Sequence, residues 1–349
     1  MTVASLTPQE KETLEVFRKQ VFDEEILHEG DSVGTDDATL LRFLRARKFS
    51  LNDSKKMLQN CQHWRKTVGG DGIDALYRRI DPYDYPEREE VFKSWSMYFH
   101  KASSPQRPLL RTPNDSDRDG HLRQTSCLQK GRPVNIQFFG GLNLPELYKH
   151  ITPQKHWEAI VVNADSLTRE VLPAASRAAG KNIHQGIVIV DLKGFGLSQF
   201  WQVKSLAQAS FQISQDYFPE TMGQLLIINA PSSFTFIWGI MKPWLAKETV
   251  EKVDILGSNY REVLLEVIDA ENLPVILGGT CTCKGEGGCD LSGAGPWMDE
   301  RKARKREGST EDSGFVERTE DVAQSQSTAS STGMEHNGPV THTIDVDLN

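Results

Sequence analysis

The stretch from Gly186 to Val253, GIVIVDLKGFGLSQFWQVKSLAQASFQISQDYFPETMGQLLIINAPSSFTFIWGIMKPWLAKETVEKV, decides the fold because its apolar pattern changes period three times. IVIVDL (187–192) and LLIIN (225–229) are short, β-branched and almost continuously apolar, the pattern of strands buried on both faces of a parallel sheet. SQFWQVKSLAQASFQISQ (198–215) lies between them and is long enough to be the crossover helix. After Ala230-Pro231, Ser232 and Ser233 offer an N-cap to FTFIWGIMKPWL, which carries Phe234, Phe236, Ile237, Trp238, Ile240, Met241, Trp244 and Leu245 around its whole circumference. Such a helix is either buried on every side or a lid that faces a cavity when closed and a membrane when open.

Outward from this stretch the strand and helix patterns continue in both directions. SMYFHK (96–101) and RPVNIQFFG (132–140) read as strands, and TPQKHWEAIVVNADSLTREVLPAASRAAG (152–180) as a long helix opened by Thr152-Pro153. VDIL (253–256) follows as a strand, REVLLEVI (261–268) as a helix and LPVILGG (273–279) as a last short strand. Alternating elements of this kind imply an α/β domain with a mainly parallel sheet over 86–281. Residues 7–70 form a separate helical unit. Thr7-Pro8-Gln9-Glu10 is a capping box, Asp36 and Asp37 open DDATLLRFLRARKF, and Asn52 or Asp53 opens a third helix carrying Met57, Leu58, Cys61 and Trp64. In the middle helix Leu40, Leu41, Phe43 and Leu44 form an apolar stripe, while Arg42, Arg45, Arg47 and Lys48 crowd its carboxyl end. On spacing alone, that charge reads as a solvated face complementing the helix dipole.

Composition narrows the function. At 349 residues and 38% apolar content the chain can build a large core, and a formal charge of −8 argues against a nucleic-acid partner. Gly223 to Leu245 is the one candidate membrane span, but Pro231, Lys242 and Pro243 make it a strand plus a helix. Five cysteines without a secretory leader suggest reduced thiols in the cytoplasm. Cys281-Thr-Cys283-x5-Cys289 lacks the paired C-x2-C spacing and a fourth nearby ligand, so no metal site is expected. Beyond Trp297 a basic run, RKARKR, gives way to an acidic, Ser/Thr/Gln-rich sequence too polar to fold, and 282–349 reads as an extension with a disordered tail. For an enzyme, the best motif is Asp191-Leu192-Lys193-Gly194-Phe195-Gly196. Its G-x-G lacks a third glycine at Gln199, and no P-loop, G-x-S-x-G elbow or H-E-x-x-H occurs. An α/β nucleotide-binding enzyme and a protein-binding scaffold remain the alternatives.

TLLRFLRARKF (39–49), LPAASRAAG (172–180), VIVDLKG (188–194), ISQDYFPETMG (213–223), IINAP (227–231) and ENLPVILGG (271–279) occur in an order that resembles the CRAL-TRIO lipid-transfer family, in particular its fungal phosphatidylinositol/phosphatidylcholine transfer members. The resemblance covers roughly Thr7 to Trp297. It implies a helical amino-terminal unit, a sheet that floors a lipid pocket, and a gate at 232–245 whose Phe234, Phe236, Ile237, Trp238, Ile240 and Met241 meet acyl chains. It implies no cofactor and no chemical turnover. A phospholipid is exchanged for another at a transiently touched membrane, and phosphatidylinositol is presented to phosphoinositide kinases, in the cytoplasm and at Golgi or endosomal membranes. The residues that hold the phosphatidylinositol headgroup in the family are matched here by Arg47, Lys48, Glu220, Thr249 and Lys252. Where phosphatidylcholine-binding members carry tyrosines and a Ser-x-Thr pair, this chain has Phe99, Asn135, Ala164, Gly186, Val188 and Phe218; most of the hydroxyls are gone, which argues against phosphatidylcholine as the second lipid and leaves that lipid unassigned.

Ala102 to Gln129 interrupts this pattern without periodicity or repeat. The family joins the flanking strands by a tight polar turn, and His100-Lys101 and Gly131-Arg132-Pro133-Val134 are intact on either side. It reads as an inserted loop or a translated intron. Closure entropy grows only as the logarithm of loop length, so the domain does not need it. Replacing 102–129 with Asp-Lys-Asp is expected to leave the melting temperature undiminished in a thermal melt. A clear loss of stability would show that the segment packs on the domain.

Overall fold

The computed structural model of the chain describes residues 6–102, 131–257, 259–284 and 286–311. The amino-terminal unit consists of α1 (Pro8–Asp23), α2 (Asp37–Ala46) and α3 (Leu51–Thr67). Thr7 caps α1 in the expected box with Glu10, and Asp36 caps α2 through the Thr39 amide. α3 starts earlier than Asn52 or Asp53 suggested, because Ser50 supplies the cap. Phe17, Val21, Leu40, Phe43, Leu44, Leu58 and Cys61 close this unit's core.

Two short helices missing from the sequence pattern, α4 (Ile73–Arg79) and α5 (Arg88–Ser94), lead into β1 (Ser96–Ala102). Neither has a side-chain cap, and seven residues are too few to show a helical period. β2 (Pro133–Phe138) pairs antiparallel with β1, and β3 (Gly186–Asp191), β4 (Met222–Ile228) and β5 (Val253–Ile255) extend the sheet in parallel. The five strands lie in sequence order. Ala102, which the sequence pattern assigns to the insertion, is the last residue of β1 and pairs with Pro133. The rest of that insertion lies outside the described residues.

Between β2 and β3 run a one-turn α6 (Leu144–Leu147), α7 (Pro153–Ser166) and α8 (Leu172–Ala179). The last two are a single rod joined by a π-helical turn over Leu167–Val171, and Gly180 ends it in the left-handed conformation at φ 61°. α9 (Leu197–Tyr217) is the expected crossover between β3 and β4. Then come α10 (Phe234–Met241), α11 (Lys247–Val250), α12 (Tyr260–Val267), α13 (Cys289–Ser292) and α14 (Pro296–Glu311). Two expectations fail here. LPVILGG is not a strand; Val275–Leu277 is a 3-10 turn, and Pro274 makes only an isolated bridge to Cys281. Nor is RKARKR in a structureless tail, because it lies in α14. Trp297 is buried there and donates to the Gly293 carbonyl, and Arg301 pairs with Glu170 and Asp81. Those partners come from distant parts of the chain, so a polar run with little apolar patterning is held by ion pairs that composition cannot reveal.

Strand alternation gives the sheet two faces with different fates. Tyr98, Val134, Ile136, Ile187, Ile189, Leu226 and Ile228 pack under α12 and the turn that follows it, in a closed core. The alternate positions, among them Val188, Val190, Leu225 and Ile227, look toward α9 and α10. The amino-terminal unit is tied to this domain at Asp165 of α7, which is fully buried. Arg65 of α3 approaches one of its oxygens at 2.8 Å, and Arg169 approaches the other at 2.6 Å. Removing one member strands the opposite charge in a low dielectric. Asp165→Ala is therefore expected to lower the unfolding free energy by roughly 3–5 kcal/mol, read from the shift of the urea midpoint.

Candidate functional site

The open face of the sheet floors a cavity of ≈ 800 Å³, large for a small-molecule site, roofed by α9, α10 and the α7 rod. Its interior is apolar, with Trp95, Met97, Phe139, Val188, Val190 and Leu225 among the lining residues. Gln137 and Asn135 are the polar exceptions on β2, and the Gln137 side-chain amide donates to Asn135 Oδ1 at 2.8 Å. All five residues expected to hold a headgroup, Arg47, Lys48, Glu220, Thr249 and Lys252, line this one cavity although they come from three distant parts of the chain.

Local structure explains how each reaches it. α2 ends at Ala46, and Lys48 and Phe49 both adopt left-handed backbone at φ 50° and 62°, a conformation that non-glycine residues seldom hold twice in succession. The turn is closed by the Phe49 amide donating to Leu44 at 2.7 Å. Glu220 is also left-handed, at φ 56°. Its turn is set from both sides: Trp64 of α3 stacks on Tyr217 with ring centroids 4.3 Å apart, and Thr221 donates its hydroxyl to the Phe218 carbonyl. The Y-F-P-E motif is thus a clamp on the amino-terminal unit as well as a source of a carboxylate. Thr249 and Lys252 follow the gate, at α11 and the turn into β5.

The charges at the mouth are paired with one another. Lys252 meets Glu220 at 3.1 Å, and exposed Lys48 meets Glu248 at 3.3 Å, linking the turn after α2 to α11 across the opening. Glu248's own backbone and then Lys48 hold the Glu248 carboxyl below its ordinary value. Arg45 and Asp216 line the same rim. Burial pulls the Arg45 guanidinium down against the opposing field of Glu220, and it pushes the Asp216 carboxyl up against the field of Arg47. Arg45, Asp216 and Glu248 are members of the site that motif matching missed. Arg45 and Asp216 flank matched motif residues, but no period or spacing distinguishes a rim residue from a solvated one. The expectation of a solvated basic face is also corrected at Arg42, which is buried and donates to Thr39.

The gate residues divide. Phe234, Trp238 and Met241 line the cavity, with Phe234 and Trp238 stacked at 6.2 Å. Ile237 is wholly buried in the core beside them, and Ile240 is half-buried against that core. Phe236 points outward and is 58% exposed. Neither Ser232 nor Ser233 caps the helix with its side chain, so α10 begins without the anchor expected of it. Its far end is tied instead by Gln215 of α9, which accepts from the Ala246 amide and donates to the Trp244 carbonyl. Phe99, Asn135, Ala164, Gly186, Val188 and Phe218, the positions at which the sequence resemblance leads to an expectation of hydroxyls, all line the cavity too. The D-x-x-G turn, by contrast, is occupied structurally. Asp191 accepts from the Lys193 amide and the Asn229 side chain, and Gly194 takes φ 83° to turn the chain against Gly140.

With this geometry in place the relatives of the chain become informative. Residues 129–279 match the CRAL/TRIO domain and residues 7–60 the CRAL/TRIO amino-terminal domain. The chain is 40% identical over 270 residues to the Sec14 cytosolic factor of Schizosaccharomyces pombe, spanning 77% of this chain and 83% of that protein. It is 40% identical over 266 residues to the SEC14 cytosolic factor of Kluyveromyces lactis, spanning 76% and 78%. It is also 31% identical over 292 residues to the phosphatidylinositol/phosphatidylcholine transfer protein SFH12 of Arabidopsis thaliana, spanning 83% of this chain and 48% of that one. The chain belongs to the CRAL/TRIO family. No helix among the described residues is long and apolar enough to cross a membrane.

An outward Phe236 on a helix whose inner face lines the cavity predicts insertion at a bilayer surface. With Trp238 as the sole tryptophan, adding vesicles is expected to shift its emission to the blue, and Phe236→Asp is expected to abolish the shift. Emission indifferent to lipid would count against a moving gate.

Proposed function

We propose that this chain binds phosphatidylinositol in the cavity, headgroup at the Arg47, Lys48, Glu220, Thr249 and Lys252 rim, and exchanges it with a second lipid between membranes. The observation that carries this reading is the convergence of those five residues on the mouth of one large apolar cavity. Burying about thirty methylenes is worth on the order of 20 kcal/mol relative to water, but the chains leave a bilayer equally apolar, so chain burial nearly cancels. Selection falls to the headgroup, where an unpaired buried polar group costs about 1–3 kcal/mol. Arg47, Lys48 and Lys252 suit the phosphodiester, and Glu220 and Thr249 suit inositol hydroxyls.

The ion pairs at the mouth fit a carrier. Lys48 and Lys252 hold Glu248 and Glu220 in this structure, and a phosphate entering the rim would replace one anion by another. Lipid entry is then close to an exchange of partners, which suits a protein that must release its ligand again. No covalent chemistry is required of any residue. In this reading the protein works in the cytoplasm, docks transiently at Golgi or endosomal membranes, and offers the headgroup to phosphoinositide kinases. The six hydroxyl-poor positions in the cavity favour a second lipid other than phosphatidylcholine.

Lys48→Ala with Lys252→Ala removes two charge-assisted contacts of about 1.5–3 kcal/mol each, so phosphatidylinositol transfer between vesicles is expected to fall by roughly 100-fold or more. Both lysines are on the rim, and a thermal melt of the same variant should remain cooperative. Wild-type transfer by that variant would overturn the assignment. Mass spectrometry of the lipid that co-purifies with the wild-type chain identifies the second ligand, and a bound nucleotide in its place would favour an enzyme.

A further inference from the structure

The segment after the sheet carries a second polar cluster, none of whose members lines the lipid cavity. Cys281 and Cys283 follow the Val275–Leu277 turn, and Cys289 opens α13. His100, absent from the local sequence pattern, is brought to them by β1. One ligand atom from each of the four lies within 4.8 Å of all the others, and the Cys281 and Cys283 sulfurs are 3.6 Å apart. Tetrahedral zinc with Zn–S of ~2.3 Å and Zn–N of ~2.0–2.1 Å holds its ligand atoms roughly 3.5–3.8 Å from one another. Only a small contraction separates the cluster from that geometry.

A second observation points the same way. His100 is 0% exposed, and neither of its ring nitrogens has a hydrogen-bond partner among the described residues. A buried imidazole with both nitrogens unsatisfied costs free energy, and such groups are rare unless something else occupies them. A metal on one nitrogen removes part of that cost. Three thiolates and an imidazole are a soft set that suits zinc over magnesium or calcium, and four protein ligands leave no open position for catalysis. The expectation that no fourth ligand lies near the cysteines failed because the fourth is 181 residues upstream in the sequence and adjacent only in the fold.

We propose that His100, Cys281, Cys283 and Cys289 bind one structural zinc ion that ties the carboxyl-terminal segment to the edge strand of the sheet. The location gives the ion a mechanical purpose. Among the described residues β1 pairs with a neighbour on one side only, and Phe99, next to His100, reaches the lipid cavity from the opposite face of that strand. Trp297 of α14 packs edge-on against Phe99 with centroids 6.3 Å apart. Zinc on one side and Trp297 on the other would hold the cavity wall while the gate moves.

The test uses the full chain without an affinity histidine tag, purified under reducing conditions. Metal analysis is expected to return about one zinc per chain, falling to under a tenth in His100→Ala and Cys283→Ser and unchanged in Cys61→Ser. Cobalt(II) added to wild-type protein stripped with a chelator should produce the visible bands of a tetrahedral thiolate site, and zinc should displace them. This second readout does not depend on any variant folding. Stripped, reduced wild-type protein that takes up neither zinc nor cobalt would overturn the proposal. So would full zinc content in the two ligand variants, a Cys281–Cys283 disulfide in fresh protein, or iron in place of zinc.

Discussion

A sheet with one face committed to a core and the other held open is the constraint on which this structure depends. An apolar space of ≈ 800 Å³ is far too large to be tolerated as a packing defect, since interiors of proteins fill almost all of their volume. It must therefore have walls that do not collapse and a roof that keeps bulk water out. The walls come from the closed core beneath the sheet, where Ile136, Ile187, Ile189, Leu226 and Leu264 are wholly buried. The roof comes from α9 and α10, the second of which is anchored at its end by Gln215 and uncapped at its start. A closed core and an uncapped helix thus lie on opposite sides of the same space.

The amino-terminal helical unit is more than an appendage to this arrangement. It supplies Arg47 and Lys48 to the mouth, and its position is set by contacts that have little to do with lipid: Trp64 on Tyr217, the Cys61 thiol on the Tyr217 carbonyl, and Arg65 beside Asp165. The buried ion pair is not evidence of great stability, because desolvation offsets most of the attraction. Its value lies in register. A carboxylate with no exposure and two cations leaves α3 a single acceptable seat on α7, and that seat puts the end of α2 over the cavity.

Charge at the mouth follows the same economy of placement. Carboxylates from α11 and from the turn after α9 neutralise lysines from the turn after α2 and from the turn into β5, so the ion pairs at the mouth join parts of the chain that are distant in sequence. The exposed Lys48–Glu248 pair is weak, worth a fraction of a kcal/mol to about 1 kcal/mol, whereas the Lys252–Glu220 pair is partly buried. The strained left-handed backbone at Lys48 and Glu220 fixes where each side chain leaves the main chain at the rim of the cavity.

Much of this was legible in the sequence. Runs such as IVIVDL and LLIIN determine strands because β-branched residues without polar interruption have no other way to be buried, and the capping box at Thr7 determines a helix start through its own reciprocal hydrogen bonds. The collinear motifs named the five rim residues. Four things belonged to tertiary structure alone. The sequence could not separate a lid from a buried helix at 234–245, since the answer depends on what lies on each side of it. It misread LPVILGG, in which Leu273 and Leu277 are buried against the sheet while Val275 and Ile276 face outward, so the run does not join the sheet. It left RKARKR without structure, because Asp81 and Glu170 lie more than a hundred residues upstream. And it saw three cysteines where the fold brings a histidine to them, because distance along a chain carries no information about distance across a sheet.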